Sequence, residues 1–210
     1  MFSQIKEFFT HKQQKTRSNR WIFATMLVGA VISLIGAFVL SIDAVELAKN
    51  PGADLICSIN VIVNCVTVAA HPTAEMFGFP NSFIGLITAP VVMTVAVAGL
   101  MGVVFPKLFM FAAQIGYTLG LLFAYYMLYL SMFVIEALCP WCMVVMLATT
   151  FIFFSLTRYN IREENLYLPK KISKKLKHFI DKDYDKLLLA TIVMLLVVGI
   201  LLKYGNSLFA

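Results

Sequence analysis

The four cysteines of the chain fall into two pairs, and the second pair has the Cys-x-x-Cys spacing of a reactive dithiol. Cys139 and Cys142 stand in the tetrapeptide CPWC, whereas Cys57 and Cys65 bound the segment CSINVIVNC. Two thiols at the CPWC spacing can be a redox centre, half of a metal site, or small apolar side chains in a buried helix. The segments that position the cysteines decide between these interpretations.

The composition indicates an integral membrane protein. Of the 210 residues, 60% are hydrophobic and only 13% are charged, about half the charge of a soluble domain. A spanning helix needs about 20 apolar residues, and the first four of five apolar segments reach that length. The fifth spans the membrane if its flanking lysines reach the two interfaces, and an interfacial or re-entrant helix is the alternative. The segments are 21–42, 82–106, 108–135, 137–157 and 187–202.

The basic residues predict the orientation of these spans. Residues 1–20 contain five Lys and Arg residues and residues 158–186 contain nine, which accounts for 14 of the 17. The positive-inside rule places both segments in the cytoplasm, and we read the net charge of +6 as a topology signal that contacts lipid headgroups rather than nucleic acid. The predicted organisation is a basic N-terminus 1–20, a four-helix core 21–157 with an extracytoplasmic loop 43–81, a cytoplasmic linker 158–186, a fifth span 187–204 and an extracytoplasmic C-terminus 205–210.

This topology places all four cysteines on the extracytoplasmic side, where disulfides persist. Pro140 suits the first position of a helix, so Cys139 becomes its N-cap, where the helix dipole stabilises a thiolate. Cys142 then lies on the same helix face, one turn deeper in the membrane. One thiol would meet the aqueous side and the other the lipid side, which favours transfer of electrons from aqueous thiols to a membrane quinone.

Two other interpretations of the cysteines remain open. A structural zinc site needs four closed ligands, but the separation of the first pair is unusual for zinc and the segment between them contains no His. We therefore predict no metal. Inert, buried cysteines are the second alternative.

Three motifs resemble those of bacterial homologues of vitamin K epoxide reductase. They are CSINVIVNC at 57–65, EMFGFPNSFIGL at 75–86 and CPWCMVV at 139–145. The resemblance covers about residues 20–157 and implies an all-α integral membrane protein: a four-helix bundle with a cysteine-bearing outer loop, here followed by a fifth span. Family members with a fused thioredoxin-like domain also have a fifth span, but this sequence ends at Ala210. The expected redox partner is therefore a separate DsbA-like or thioredoxin-like protein.

The resemblance implies a role for each cysteine. Cys57 would exchange its disulfide with the partner protein, and Cys65 would pass electrons to Cys139 after a movement of the loop. Cys142 would reduce a membrane quinone, either ubiquinone or menaquinone. The implied activity is that of a thiol:quinone oxidoreductase in the bacterial inner membrane, with its active site facing the periplasm, that supports disulfide bond formation.

The resemblance also implies a quinone pocket. Asn81 would hydrogen-bond the quinone carbonyl, or alternatively cap the second span, and Phe77 and Trp141 would form walls, or simply pack. Two positions depart from the family pattern. His71 replaces a Ser or Thr and either tunes a thiolate or faces solvent, and Met146 stands near a tyrosine position, which weakens the case for epoxide reduction.

Two other functions compete with this one. An exporter of electrons would need a cysteine that is accessible from the cytoplasm. A non-enzymatic scaffold with structural disulfides would bind no quinone.

Overall fold

The computed structural model describes residues 14–53, 55 and 57–208, and this part of the chain is helical, with no named β-strand. Five of its helices are long and apolar enough to cross a membrane, which confirms the predicted all-α membrane fold with a fifth span. The predictions for residues 1–13, 209 and 210 lie outside the described residues. The helices are α1 Gln14–Lys49, α2 Cys65–Ala69, α3 Ser82–Leu100, α4 Lys107–Leu130, α5 Pro140–Arg162, α6 Lys170–Asp181 and α7 Tyr184–Leu208.

Helix α1 extends well beyond the apolar segment that predicted it. The acidic residues Asp43 and Glu46 do not end the helix, which continues to Lys49. It ends at the sequence Asn50-Pro51-Gly52, because proline and glycine favour a turn over further helix. The first seven residues of the predicted outer loop therefore belong to α1.

Close packing of α1 against α3 and α5 forms the centre of the bundle. A Cβ at Gly85 would lie 2.7 Å from the Cβ of Ala37, and a Cβ at Gly36 would lie 2.6 Å from Cγ2 of Val145. Small residues allow helix backbones to approach where water cannot drive association. These glycines therefore fix the distance between α1 and the helices that carry the functional residues.

A polar network joins α4 to α5 near the end of the bundle that is remote from the cysteines. The Asn160 amide donates to the Gln114 side chain at 3.0 Å, and Gln114 donates to Thr157 at 2.9 Å. Asn165 in turn donates to Asn160 at 3.0 Å. Because these amides are paired with one another, the network joins the helices without leaving their polar groups unsatisfied.

Helix α7, the fifth span, is attached to the core at both ends. At its N-terminal end, Arg158 of α5 donates to both carboxylate oxygens of Asp185, at 2.8 and 2.7 Å, and to Asp183 at 2.8 Å. At the other end, Tyr204 donates to the carbonyl of Met132 at 2.9 Å, and Lys203 donates to the same carbonyl. Most of the apolar side chains between these ends are exposed, as expected of a helix that faces lipid.

Residues 158–186, predicted as a basic linker, are largely helical. Helix α5 continues to Arg162, and α6 follows with lysines on most of its surface and Ile180 buried. This pattern is typical of an amphipathic helix that lies along a membrane surface.

Candidate active site

Two asparagines shape the loop that carries the first cysteine pair. Oδ1 of Asn60 accepts hydrogen bonds from the backbone N–H groups of Ile62 and Val63, at 3.0 and 2.6 Å, which closes a tight turn. Oδ1 of Asn64 accepts from the backbone N–H of Thr67 at 2.9 Å and so caps α2. Since α2 begins at Cys65, the cap fixes the position of that sulfur.

The loop is hydrogen-bonded to the turn that precedes α5. The backbone N–H of Leu138 donates to the carbonyl of Ile62 at 2.7 Å, and the N–H of Asn64 donates to the carbonyl of Leu138 at 3.1 Å. The turn reverses at Glu136, which has a φ of 58°, and Ser131 donates to the carbonyl of Ala137. The two hydrogen bonds hold the residues next to Cys65 and Cys139 side by side.

Three sulfur atoms consequently lie in contact. Cys57 and Cys65 form a disulfide, and Sγ of Cys65 lies 3.6 Å from Sγ of Cys139. Cys139 and Cys142 are free thiols. The expected loop movement is therefore not needed to bring Cys65 to Cys139. In the part of the chain that the structure describes, no group of three or more metal-ligating side chains could hold a metal ion.

Apolar side chains exclude water from the sulfurs. Cys65 and Cys139 are 1% and 2% exposed, and Leu40, Leu47 and Trp141 pack against them. We call this group, together with Cys57 and Leu55, the sulfur cluster. Exclusion of water prevents competing reactions of a thiolate or of a mixed disulfide.

Cys139 occupies the N-cap of α5, with Pro140 in the first turn, as the sequence indicates. Its sulfur accepts the backbone N–H of Cys142 at 3.4 Å. A hydrogen bond from the Cys142 thiol, aided by the backbone N–H groups of Cys142 and Trp141, lowers the pKa of Cys139, although burial opposes the shift. The lowered pKa favours the thiolate form of Cys139, which is both the better leaving group and the nucleophile in disulfide exchange.

A large cavity opens beneath the sulfur cluster, between the helices. Its volume is about 1210 Å³, and Cys142, Asn81, Phe77 and Met146 contribute to its lining. The Cys142 side chain is exposed to this space, one turn along α5 from Cys139. Ligand pockets usually measure about 300–1,000 Å³, so the cavity has room for a sizeable apolar molecule.

Asn81 precedes α3 but makes no capping hydrogen bond with its side chain. Its Nδ2 donates to the carbonyl of Thr73 at 2.8 Å and lies 3.6 Å from the sulfur of Met127. Its Oδ1 is buried and has no hydrogen-bond partner. A buried polar atom without a partner is costly, and this one belongs to a residue that lines the cavity, so it can be satisfied by a bound molecule.

The other predicted site residues occupy different positions. Phe77 lines the cavity, is 56% exposed, and has its ring centroid 5.6 Å from that of Phe123. Trp141 packs in the sulfur cluster. His71 also lines the cavity, and its ring accepts the backbone N–H of Thr73 at 3.3 Å, so it caps a short 3₁₀ helix rather than standing free in solvent.

Sequence reasoning missed two residues that the structure brings to the site. Asn64 directly precedes the first residue of α2, which is a capping signal. Asp43 directly follows the uncharged part of α1, and its Oδ2 lies 3.6 Å from Sγ of Cys57. The charge of Asp43 is evident from the sequence. Its contact with the loop arises because α1 continues past Asp43 to Lys49.

A comparison of the sequence with models of protein families identifies the family of the chain. The model of the "Vitamin K epoxide reductase family" matches residues 24–157. The chain belongs to this family. The match extends from α1 to the last turns of α5 and includes all four cysteines. No curated protein matches the chain. Family membership and the five spans identify a multi-pass membrane thiol–disulfide oxidoreductase.

Proposed function

We propose that this protein is a thiol:quinone oxidoreductase that reoxidises a separate DsbA-like protein and passes the electrons to a membrane quinone. The observation that carries the proposal is the 3.6 Å contact between the sulfurs of Cys65 and Cys139. It joins a disulfide on the outer loop to a thiol pair whose second member, Cys142, is exposed to an apolar cavity.

The first steps take two electrons from the partner protein. A partner thiolate attacks Sγ of Cys57, the bond between Cys57 and Cys65 breaks, and Cys65 leaves as a thiolate. The second partner thiol then attacks the partner sulfur, which releases Cys57 and leaves the partner with a disulfide. The loop pair now carries both electrons.

The next steps move the electrons across the sulfur contact. The Cys65 thiolate attacks Cys139 in a disulfide between Cys139 and Cys142, and Cys142 leaves as a thiolate. Cys57 then attacks Cys65, which re-forms the loop disulfide and releases Cys139. The product has a loop disulfide and two free thiols on α5, the same bonding as in the structure described above.

The residues around Cys142 fit a quinone. The unpaired Oδ1 of Asn81 can accept a hydroxyl of a hydroquinone, and an amide can also donate to a carbonyl oxygen. Phe77 offers an aromatic wall. A bound ubiquinone or menaquinone would accept two electrons and two protons, and Cys139 and Cys142 would supply the electrons as they form their disulfide.

The orientation supports a partner on the extracytoplasmic side. Basic segments lie at the N-terminal end of α1 and the C-terminal end of α5, and such segments favour the cytoplasm. The loop disulfide, at the other ends of these helices, would then face the periplasm of a bacterial inner membrane. A DsbA-like protein has a reduction potential near −120 mV. A quinone with a higher potential is therefore needed to drive the reaction forward.

The test uses the purified protein in detergent, a reduced DsbA-like protein and a short-chain quinone, with quinone reduction followed by absorbance. We expect replacement of any cysteine by alanine to lower the rate by about 100-fold or more, since each removes a covalent step. Ser173→Ala, on α6 and remote from the sulfurs, is the control and should keep the full rate. Full quinone reduction by all four cysteine variants would overturn the proposal.

A further inference from the structure

Asp43 lies on the face of α1 that meets the sulfur cluster. Leu40 and Leu47, three residues before and four after it, pack against the cysteines, and residues at these spacings share one helix face. Oδ2 of Asp43 lies 3.6 Å from Sγ of Cys57, and the side chain is partly buried. Its carboxylate thus touches a sulfur that takes part in the proposed exchange.

An ion pair does not account for this position. Among residues 14–53, 55 and 57–208, the Asp43 carboxylate makes no salt bridge, and its polar contact is with the sulfur. The sulfur carries no proton while Cys57 is in its disulfide, so the contact is not a hydrogen bond in this state. After reduction, the thiol of Cys57 can donate to the carboxylate. The position of the Asp43 carboxylate therefore allows a hydrogen bond with Cys57 when the loop pair is reduced, but not when it is oxidised.

We propose that Asp43 is the general base that accepts the proton of Cys57 when Cys57 re-forms the loop disulfide. The assignment rests on the proposed function. In this step the bond between Cys65 and Cys139 breaks and the bond between Cys57 and Cys65 forms. The thiol proton of Cys57 moves to Asp43, and Cys139 leaves as a thiolate with the electron pair. The charge is balanced, because one carboxylate disappears as one thiolate appears.

The proton that Asp43 accepts from Cys57 would be held at the edge of the cavity. Asp43 lines the same cavity as Cys142 and Asn81, so a proton on its carboxyl group is held on the side where a quinone is reduced. Reduction of a quinone consumes two protons, and loss of this proton into the cavity restores the carboxylate for the next cycle. Asp43 would therefore connect proton release at the loop with proton uptake at the cavity.

The titratable groups that surround Asp43 set the pH range of a test. Facing it are Cys57 and Cys65 from the loop and Cys139 and Cys142 from α5. His71, which caps the 3₁₀ helix Pro72–Glu75, and Glu75 within that helix line the same cavity. On α1 itself, Glu46 and Lys49 line a separate groove against α3. Glu46 is exposed, one turn from Asp43, and is a matched control.

The first experiment needs neither the partner nor a quinone. The full chain with both disulfides formed is mixed with dithiothreitol, and the appearance of free Cys139, the thiol that the proposed step releases, is followed by alkylation and mass spectrometry. We expect Asp43→Asn to slow this step about 100-fold at pH 7, since a general base typically contributes at least that factor. The loss should shrink to a few-fold at about pH 9.5, because a pH above the ordinary pKa of a thiol makes a base unnecessary. Glu46→Gln should keep the wild-type rate, and Asp43→Glu, which retains a carboxylate, should recover much of the rate that Asp43→Asn loses.

The accumulating species gives a second readout. Asp43→Asn should accumulate the mixed disulfide between Cys65 and Cys139, because the step that resolves it is slowed. An equal loss at both pH values, or no loss at pH 7, would overturn the assignment. A misfolded fraction would lower the rate by a similar factor at both pH values, so partial misfolding cannot imitate a loss that shrinks as the pH rises. If the wild type exchanges its disulfides with this pattern but reduces no quinone, the proposed acceptor fails and the role of Asp43 stands.

Discussion

At the scale of single residues, the reactivity of Cys139 follows from its place at a helix N-terminus. Its sulfur receives hydrogen bonds from the thiol and the backbone of Cys142, and these lower its pKa against the effect of burial. The same residue is 3.6 Å from Cys65. One side chain thus combines an activated sulfur with contact to the next member of the relay.

The contribution of the Cys142 thiol to the lowered pKa of Cys139 can be tested by mutation. In the variant Cys142→Ala the largest stabilising hydrogen bond to the Cys139 thiolate is lost, so the pKa of Cys139 should rise. The check is the rate of Cys139 alkylation by iodoacetamide against pH, with the loop disulfide intact. Cys142→Ser keeps a donor and should shift the profile less. A profile that is unchanged or moves to lower pH in Cys142→Ala would contradict this cause.

Asn81 should separate quinone binding from sulfur exchange. In Asn81→Ala, the cavity loses the amide whose Oδ1 has no partner in the protein. We expect the KM for a short-chain quinone to rise about tenfold, which corresponds to one hydrogen bond, with little change in the exchange between the two cysteine pairs. Thr94→Ala, on the same helix but outside the lining of the cavity, is the control. An unchanged KM would remove Asn81 from the quinone site.

The sequence was most informative where the chemistry is local. Pro140 after Cys139 predicted both the N-cap and the deeper position of Cys142, because these depend only on helix geometry. The contact of Asp43 with Cys57 joins two segments that are separated by a turn of irregular backbone. No periodicity in either segment encodes that contact.

At the scale of elements, the relay depends on a loop and a turn held in fixed register. The backbone hydrogen bonds between Leu138 and its neighbours Ile62 and Asn64 align the start of α2 with the start of α5. The sequence predicted the apolar spans well, since hydropathy and length determine them. It did not predict the end of α1, because acidic residues are compatible with a helix that leaves the membrane.

The close approach of α1 and α3 should be sensitive to one methyl group. In Gly85→Ala the new Cβ would meet the Cβ of Ala37 at 2.7 Å, and neither atom can move without its helix. We expect the free energy of unfolding in detergent to fall by about 1–3 kcal/mol, the usual cost of overpacking. In Gly199→Ala, on α7, the added Cβ meets nothing within 4 Å. That control should be as stable as the wild type, and equal stability of both variants would contradict the packing described for α1 and α3.

At the scale of the whole molecule, the fold places one redox pair on a loop outside the spans and the other at the start of a span, and it connects them at a single sulfur contact. The loop disulfide lies outside the spans, and Cys142 lies inside one of them, exposed to the cavity. Composition and the lengths of the apolar segments predicted these spans, since both reflect the thickness of the membrane, whereas the orientation that the basic residues indicate stays a prediction. The contact between the two pairs depends on tertiary packing, and the sequence indicated it only through the family resemblance.

The most direct test of the relay uses the double variant Cys57→Ala/Cys142→Ala, in which Cys65 and Cys139 are the remaining cysteines. Mild oxidation followed by mass spectrometry should find a disulfide between them, because their sulfurs are already 3.6 Å apart. The matched variant Cys65→Ala/Cys142→Ala leaves Cys57 and Cys139 and should form a bond more slowly. A double variant in which Cys65 and Cys139 both remain free and open to alkylation would contradict the transfer of electrons between the two pairs.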